Sequence, residues 1–129
     1  MQNRQIKNLQ MSRHPIHLRS YKFTLSVVEL AKSIRVDTIN RSLVSQMIRS
    51  GTSVSANLQE ADAGISRKDF INKITISLKE ARETIYWLTL LKDSNYIALD
   101  RWQAIVSEGD EIARILAQIK INSQRQAVK

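Results

Sequence analysis

The chain of 129 residues has no cysteine, one proline and three glycines. Without cysteine there are no disulfides, no thiolate nucleophile and no Cys-based metal site, which fits a reducing compartment. So few turn residues favour long helices over many short strands. No run approaches the ~18 apolar residues of a membrane span, and the polar stretch 1–13 lacks the apolar core of a signal peptide. The expected location is cytoplasmic, with no membrane partner. Histidine is nearly absent as well: His14 and His17 are the only two, with no third ligand nearby, and read as solvated or capping groups. No metal site and no cofactor are expected.

What is present is helical periodicity and positive charge. Ser50 to Ser55 has the composition of a loop, yet Leu43, Met47, Gly51, Val54, Leu58 and Ala61 recur at spacings of 4, 4, 3, 4 and 3, one face of a helix. Small residues on that face allow another backbone to come close, and such packing can outweigh their poor helix propensity. A first helix carries Phe23, Val27, Leu30 and Ile34, with Asp37 or Thr38 suited to cap the second. Asp62 to Ile65 closes the second, with Gly64 fit for a left-handed turn. Ser66-Arg-Lys-Asp69 has capping-box form and opens a third helix with Phe70, Ile74, Leu78, Ala81, Ile85 and Leu88. Asp100 is a good cap for a fourth, striped by Trp102, Ile105, Gly109, Ile112, Leu116 and Ile119.

These spacings predict an all-α fold, an antiparallel up-and-down four-helix bundle with helices at about 18–35, 39–61, 67–92 and 100–121. A flexible basic segment 1–14 precedes the bundle domain at 15–122, and a flexible tail 123–129 follows it. The third helix has a second face holding Ile76, Glu80, Glu83, Trp87 and Leu90. Two apolar sides on one helix imply packing in the bundle and against another subunit.

The net charge of +8 is unevenly placed: residues 1–22 hold +5, residues 112–129 hold +4, and 23–111 hold −1. Such ends suit capture of a polyanion. Arg4, Lys7, Arg13, Arg19, Lys22, Lys120 and Arg125 are the expected nucleic-acid contacts, mostly to backbone phosphates.

Catalysis finds little support. Ser50, Ser53 and Ser55 have no histidine in their part of the bundle to act as base, and three scattered glycines make no phosphate loop. No catalytic residue is assigned and the chain reads as a non-enzyme. Arg49, Ser53, Asn57 and Glu60 form a polar face on the second helix. With Glu80, Glu83 and Trp87 they are expected to build a structural polar network or a subunit interface, Arg49 pairing with the two glutamates.

The blocks Arg49-Ser-Gly-Thr-Ser-Val-Ser-Ala-Asn57 with Glu60-Ala61, Ser66-Arg-Lys-Asp-Phe70, and Lys79-Glu-Ala-Arg-Glu-Thr84 with Tyr86-Trp-Leu88 resemble a known family. It is that of the small bacterial four helix bundle proteins, including those encoded in intervening sequences of 23S ribosomal RNA genes. The similarity spans about residues 15–97. It implies an up-and-down bundle assembled as a homopentamer. The resemblance extends to a superfamily containing the accessory variability determinant of diversity-generating retroelements, a basic pentamer that binds a reverse transcriptase and nucleic acid. Two functional expectations result: an oligomeric nucleic-acid-binding scaffold, with RNA the expected ligand, or an adaptor for a reverse transcriptase.

Overall fold

The computed structural model describes residues 15–63 and 66–128. Four α-helices account for most of them: α1 (Ile16–Ser33), α2 (Arg41–Asp62), α3 (Arg67–Asp93) and α4 (Leu99–Val128). The expected segment 1–14 and the Gly64 turn lie outside the described residues. Each helix packs on its sequence neighbours, and α4 closes the ring on α1. Side-chain bonds fix the antiparallel sense. His17 at the start of α1 meets Asp62 at the end of α2, and Arg101 at the start of α4 donates to Ser33 at the end of α1. The bundle is up-and-down, and its core is the set of inward stripes.

Those stripes are largely the expected ones. Phe23, Val27, Met47, Val54, Leu58, Ile74, Leu88, Ile112 and Leu116 are essentially fully buried. Leu43, Phe70, Ile85, Trp102 and Ile119 are half-buried at the margins. Val44, Leu91, Val106 and Ala113 join the core as well, widening the stripes at positions adjacent to those expected.

At Gly51, α1 and α2 approach closely. A Cβ placed there would lie 2.8 Å from Val27 Cγ1, inside contact distance. The Thr24 hydroxyl uses the same approach and donates to the Gly51 carbonyl at 2.8 Å. On the opposite flank Ser77 Oγ of α3 donates to the Val54 carbonyl at 2.7 Å, fully buried. The small residues of α2 thus leave its main chain reachable from both neighbours, and buried hydroxyls that would cost free energy unpaired are satisfied there.

The helix ends show what holds them and revise three expectations. Pro15 precedes α1, where its missing N–H costs nothing. Before α2, Asn40 rather than Asp37 or Thr38 holds the N-cap position, but its side chain makes no capping hydrogen bond to the helix. It is fully buried, its amide group donating to the Arg35 carbonyl, while Asp37 Oδ1 accepts from the main-chain N–H groups of Ile39 and Asn40. Asp37 therefore organises the link one turn ahead of the cap. Ser66 caps α3 as expected, accepting from the Asp69 N–H at 3.1 Å.

Helix α3 ends in a Schellman motif: Tyr96 N–H donates to the Leu91 carbonyl and Asn95 N–H to that of Lys92. Asn95 takes the left-handed conformation (φ 68°), which asparagine tolerates better than most residues. Asp100 is not the cap of α4, because the helix already begins at Leu99 and Trp102 N–H donates to the Ala98 carbonyl. Asp100 lies in the first turn, where its charge suits the helix dipole. Finally, α4 continues to Val128 instead of ending near 121, so the expected tail at 123–129 is helical through 128. The extension is not featureless: Arg67 Nη1 of α3 donates to Gln126 Oε1 at 2.6 Å.

Candidate nucleic-acid interface

An up-and-down bundle of four helices brings its first and last helical turns to the same end. Ile16 and His17 of α1, Ala61 and Asp62 of α2, Arg67 and Phe70 of α3, and Ser123 and Gln126 of α4 line one cavity there, about 510 Å³ in volume. Of the two regions of excess positive charge, residues 15–22 and 112–128 are described, the first opening α1 and the second closing α4. Among the described cationic residues, Lys22 of α1, Arg67 and Lys68 of α3 and Arg125 of α4 are exposed, and Lys120 is half-buried. Two acidic groups there are already engaged: Glu60 Oε2 lies 2.5 Å from Lys73 Nζ, and Asp62 Oδ2 lies 3.0 Å from His17 Nε2.

Of the expected contacts, Arg4, Lys7 and Arg13 lie outside the described residues. Arg19 is answered within the bundle: its Nε and Nη2 bond the Glu108 carboxylate of α4 at 2.5 and 3.1 Å. That hydrogen bond raises the guanidinium pKa above its ordinary value, helped by the charges of Glu108 and Glu111 and opposed by desolvation. Much of Arg19's charge is therefore spent on holding α1 to α4. Lys22, Lys120 and Arg125 have no acidic partner among the described residues.

His17 departs from expectation. It is buried, 6 % exposed, and paired with Asp62, not solvated or a cap. No sequence motif joins the two, which lie at opposite ends of a helical hairpin. Only the antiparallel pairing of α1 and α2 brings them together. Arg67, expected within a capping segment, and Phe70, expected in the core, line the cavity. A second groove, of about 420 Å³, follows the α1–α4 seam between Phe23, Leu30 and Ile105.

The polar face of α2 divides into two arrangements. Arg49 reaches α3, with Nη1 3.4 Å from Glu80 Oε2 and Nη2 in contact with Glu83 Oε1, while its Nε donates to Gln46. Trp87 Nε1 donates weakly to the same Glu83 oxygen, at 3.4 Å. Ser53 and Asn57 stay out of this set: each donates to the carbonyl four residues back, Arg49 and Ser53 respectively. Glu60 bonds Lys73. The second face of α3 is thus partly occupied within the chain. Glu80 is buried by α2, whereas Ile76, Trp87 and Leu90 are half-buried and Tyr86 is 59 % exposed, its ring edge-on to Trp87 at 4.9 Å.

No described helix is long and apolar enough to cross a membrane. A comparison with curated proteins finds no match. Among solved structures, a protein of unknown function from the S23 ribosomal protein family of Bacteroides thetaiotaomicron VPI-5482 is similar to the chain. It is 38 % identical, with a TM-score of 0.73, over 81 % of this chain and 97 % of that one. The family model described as 23S rRNA-intervening sequence protein matches residues 14–118, which takes in most of the four-helix bundle and every block of the resemblance, and the chain belongs to that family.

Proposed function

We propose that this protein is a non-enzymatic, oligomeric RNA-binding scaffold. The observation that carries this reading is the set of cations in the opening turns of α1 and the closing turns of α4, Lys22, Lys120 and Arg125, that lack acidic partners among the described residues. Cations left without an acidic partner keep their field for phosphates, which neutralised ones do not. The middle of the chain is nearly neutral, and some of its charges are paired within the fold, such as Arg49 with Glu80.

Self-association multiplies that field through avidity. The outer edge of α3, with exposed Tyr86 beside half-buried Trp87 and Leu90, supplies the aromatic and apolar character of an interface centre. Light scattering on the purified protein is expected to give a multiple of the chain mass, five being the number implied by resemblance. A monomer would remove the oligomeric part of the proposal.

RNA binding is tested by fluorescence anisotropy with a labelled single-stranded RNA as salt rises from about 50 to about 200 mM, where phosphate contacts weaken steeply. The double variant Lys120→Ala/Arg125→Ala should bind less tightly, with a salt slope shallower by about 0.7 for each phosphate left without its cation. Absence of binding at the lowest salt overturns the reading.

A further inference from the structure

We infer that the cavity lined by Arg67 and Phe70 is a base pocket: it receives one unstacked base of a single-stranded RNA whose phosphates lie on the protein's cations. The inference rests on the RNA-binding reading and adds the part of the ligand that enters the protein.

Three observations carry it. First, size: about 510 Å³ falls within the ~300–1,000 Å³ of small-molecule sites and accommodates a nucleoside-sized group. Second, chemistry: the walls combine apolar surface with a half-buried aromatic ring, Phe70, and a set of hydrogen-bonding groups. Single-stranded RNA is recognised in this manner, by stacking splayed bases on aromatic or guanidinium planes and bonding their edges. Gln126 offers its amide N–H groups, its Oε1 being held by Arg67, and Ser123 a hydroxyl. Asp62 offers a carboxylate that is 49 % exposed, one oxygen held by His17 and the other making no hydrogen bond among the described residues. Third, charge: Arg67 lines the cavity and is exposed, so the rim presents a cation to a phosphate beside the base.

The geometry is also held in place. His17 with Asp62 fixes α1 against α2, and Arg67 with Gln126 joins α3 to α4. These bonds tie α1 to α2 and α3 to α4 at this end. A fully apolar void of this kind would suit a hydrocarbon; a cavity edged by an amide, a hydroxyl, a carboxylate and a guanidinium suits a heterocycle.

The test is Ser123→Trp, which places an indole in the cavity and leaves the charge of the protein unchanged. Full-length parent and variant are titrated with a labelled single-stranded RNA and with an RNA duplex, and circular dichroism checks that helicity is equal. The variant should bind the single strand about tenfold more weakly, the effect of forfeiting one base–aromatic stack, with duplex binding unchanged. Single-strand binding equal to that of the parent overturns the pocket while leaving phosphate binding intact, and so does an equal loss for both ligands. If the parent binds neither ligand at low salt, the RNA-binding reading itself falls and takes the pocket with it. A second measurement needs no variant: photocrosslinking of the parent to RNA containing 4-thiouridine should mark peptides holding His17 or Phe70. Adducts confined to the outer surface around Lys120 and Arg125 overturn the inference.

Discussion

Asp37 and Asn40 hydrogen-bond each other reciprocally: the Asn40 N–H donates to Asp37 Oδ1 at 2.7 Å, and the Asp37 N–H donates to Asn40 Oδ1 at 2.9 Å. The pair closes the turn between α1 and α2 with the reciprocal pattern of a capping box, Asp37 in the place of Ser or Thr and Asn40 in that of Glu or Gln. Asn40 is entirely buried and also holds the Arg35 carbonyl. Asn40→Ala strips partners from two main-chain groups at once and should destabilise the fold by about 1–3 kcal/mol. Urea unfolding measures this as a fall in midpoint at unchanged slope. A midpoint within error of the parent would show that water replaces the amide without loss.

The same turn gives a pH dependence. The hydrogen bond from the Asn40 main chain is the main cause holding the Asp37 carboxyl below its ordinary pKa, with further help from the Ile39 N–H and the Tyr96 hydroxyl against the cost of desolvation. Because the folded pKa is the lower one, the unfolded chain binds the proton first as pH falls. The stabilisation is therefore complete above the ordinary carboxylate range and is lost as pH drops through the folded value beneath it. Asp37→Asn keeps the shape and removes the charge. Its melting temperature should lie below the parent's at neutral pH, and the gap should close under acid conditions. A gap independent of pH contradicts this.

Gly51 and Gly109 both face the core, yet they should answer differently to alanine. At Gly51 the new Cβ meets a fully buried, branched Val27 at 2.8 Å. Overpacking of about 1–3 kcal/mol outweighs the gain of up to ~1 kcal/mol in helix propensity, so Gly51→Ala destabilises. At Gly109 the nearest atoms belong to the Phe23 ring at 3.2 Å, where a shift of a few tenths of an ångström suffices and the two effects nearly cancel. In the double variant Gly51→Ala/Val27→Ala the removed methyls make room, so the two changes should cost less together than their sum. Strict additivity would mean that the close approach carries no strain.

Arg49 tests how much the α2–α3 pairing depends on charge. Glu80 is only 11 % exposed on its side chain and has Arg49 as its cationic partner. Removing the cation leaves a nearly buried carboxylate unanswered, which costs more than a surface pair and less than a fully buried one, about 1–2 kcal/mol. Arg49→Ala should lower stability accordingly, and Arg49→Ala/Glu80→Gln should recover part of the loss. No recovery would place the effect in the packing of the arginine stem.

How much of the fold is legible in the chain follows from what periodicity records. It records which residues share a helix face, so the core stripes, the close approach at Gly51 and the reach of Arg49 to Glu80 and Glu83 are accessible from spacing alone. It does not record which of several polar residues takes the N-cap position. Asp37, Thr38 and Asn40 are all competent, and burial of the Asn40 amide against Arg35 decides among them. Nor does it see pairs created by antiparallel packing: His17 with Asp62, or Arg19 with Glu108, join residues with no local relation. The end of α4 is hidden for a third reason, because Asn122 to Gln126 has no apolar stripe and its helix is supported by partners such as Arg67. The cavity leaves no trace in sequence, since it is space between side chains rather than a pattern of them.

The position of Gly51 within its helix has a mechanical consequence. It is the eleventh of the 22 residues of α2, with roughly 16 Å of helix on either side at ~1.5 Å per residue. A push applied so near mid-length displaces a rigid neighbour outward along its whole length instead of prying it open at one end. One added methyl group at the centre of the bundle is therefore felt both at the cavity end and at the Asp37–Asn40 turn.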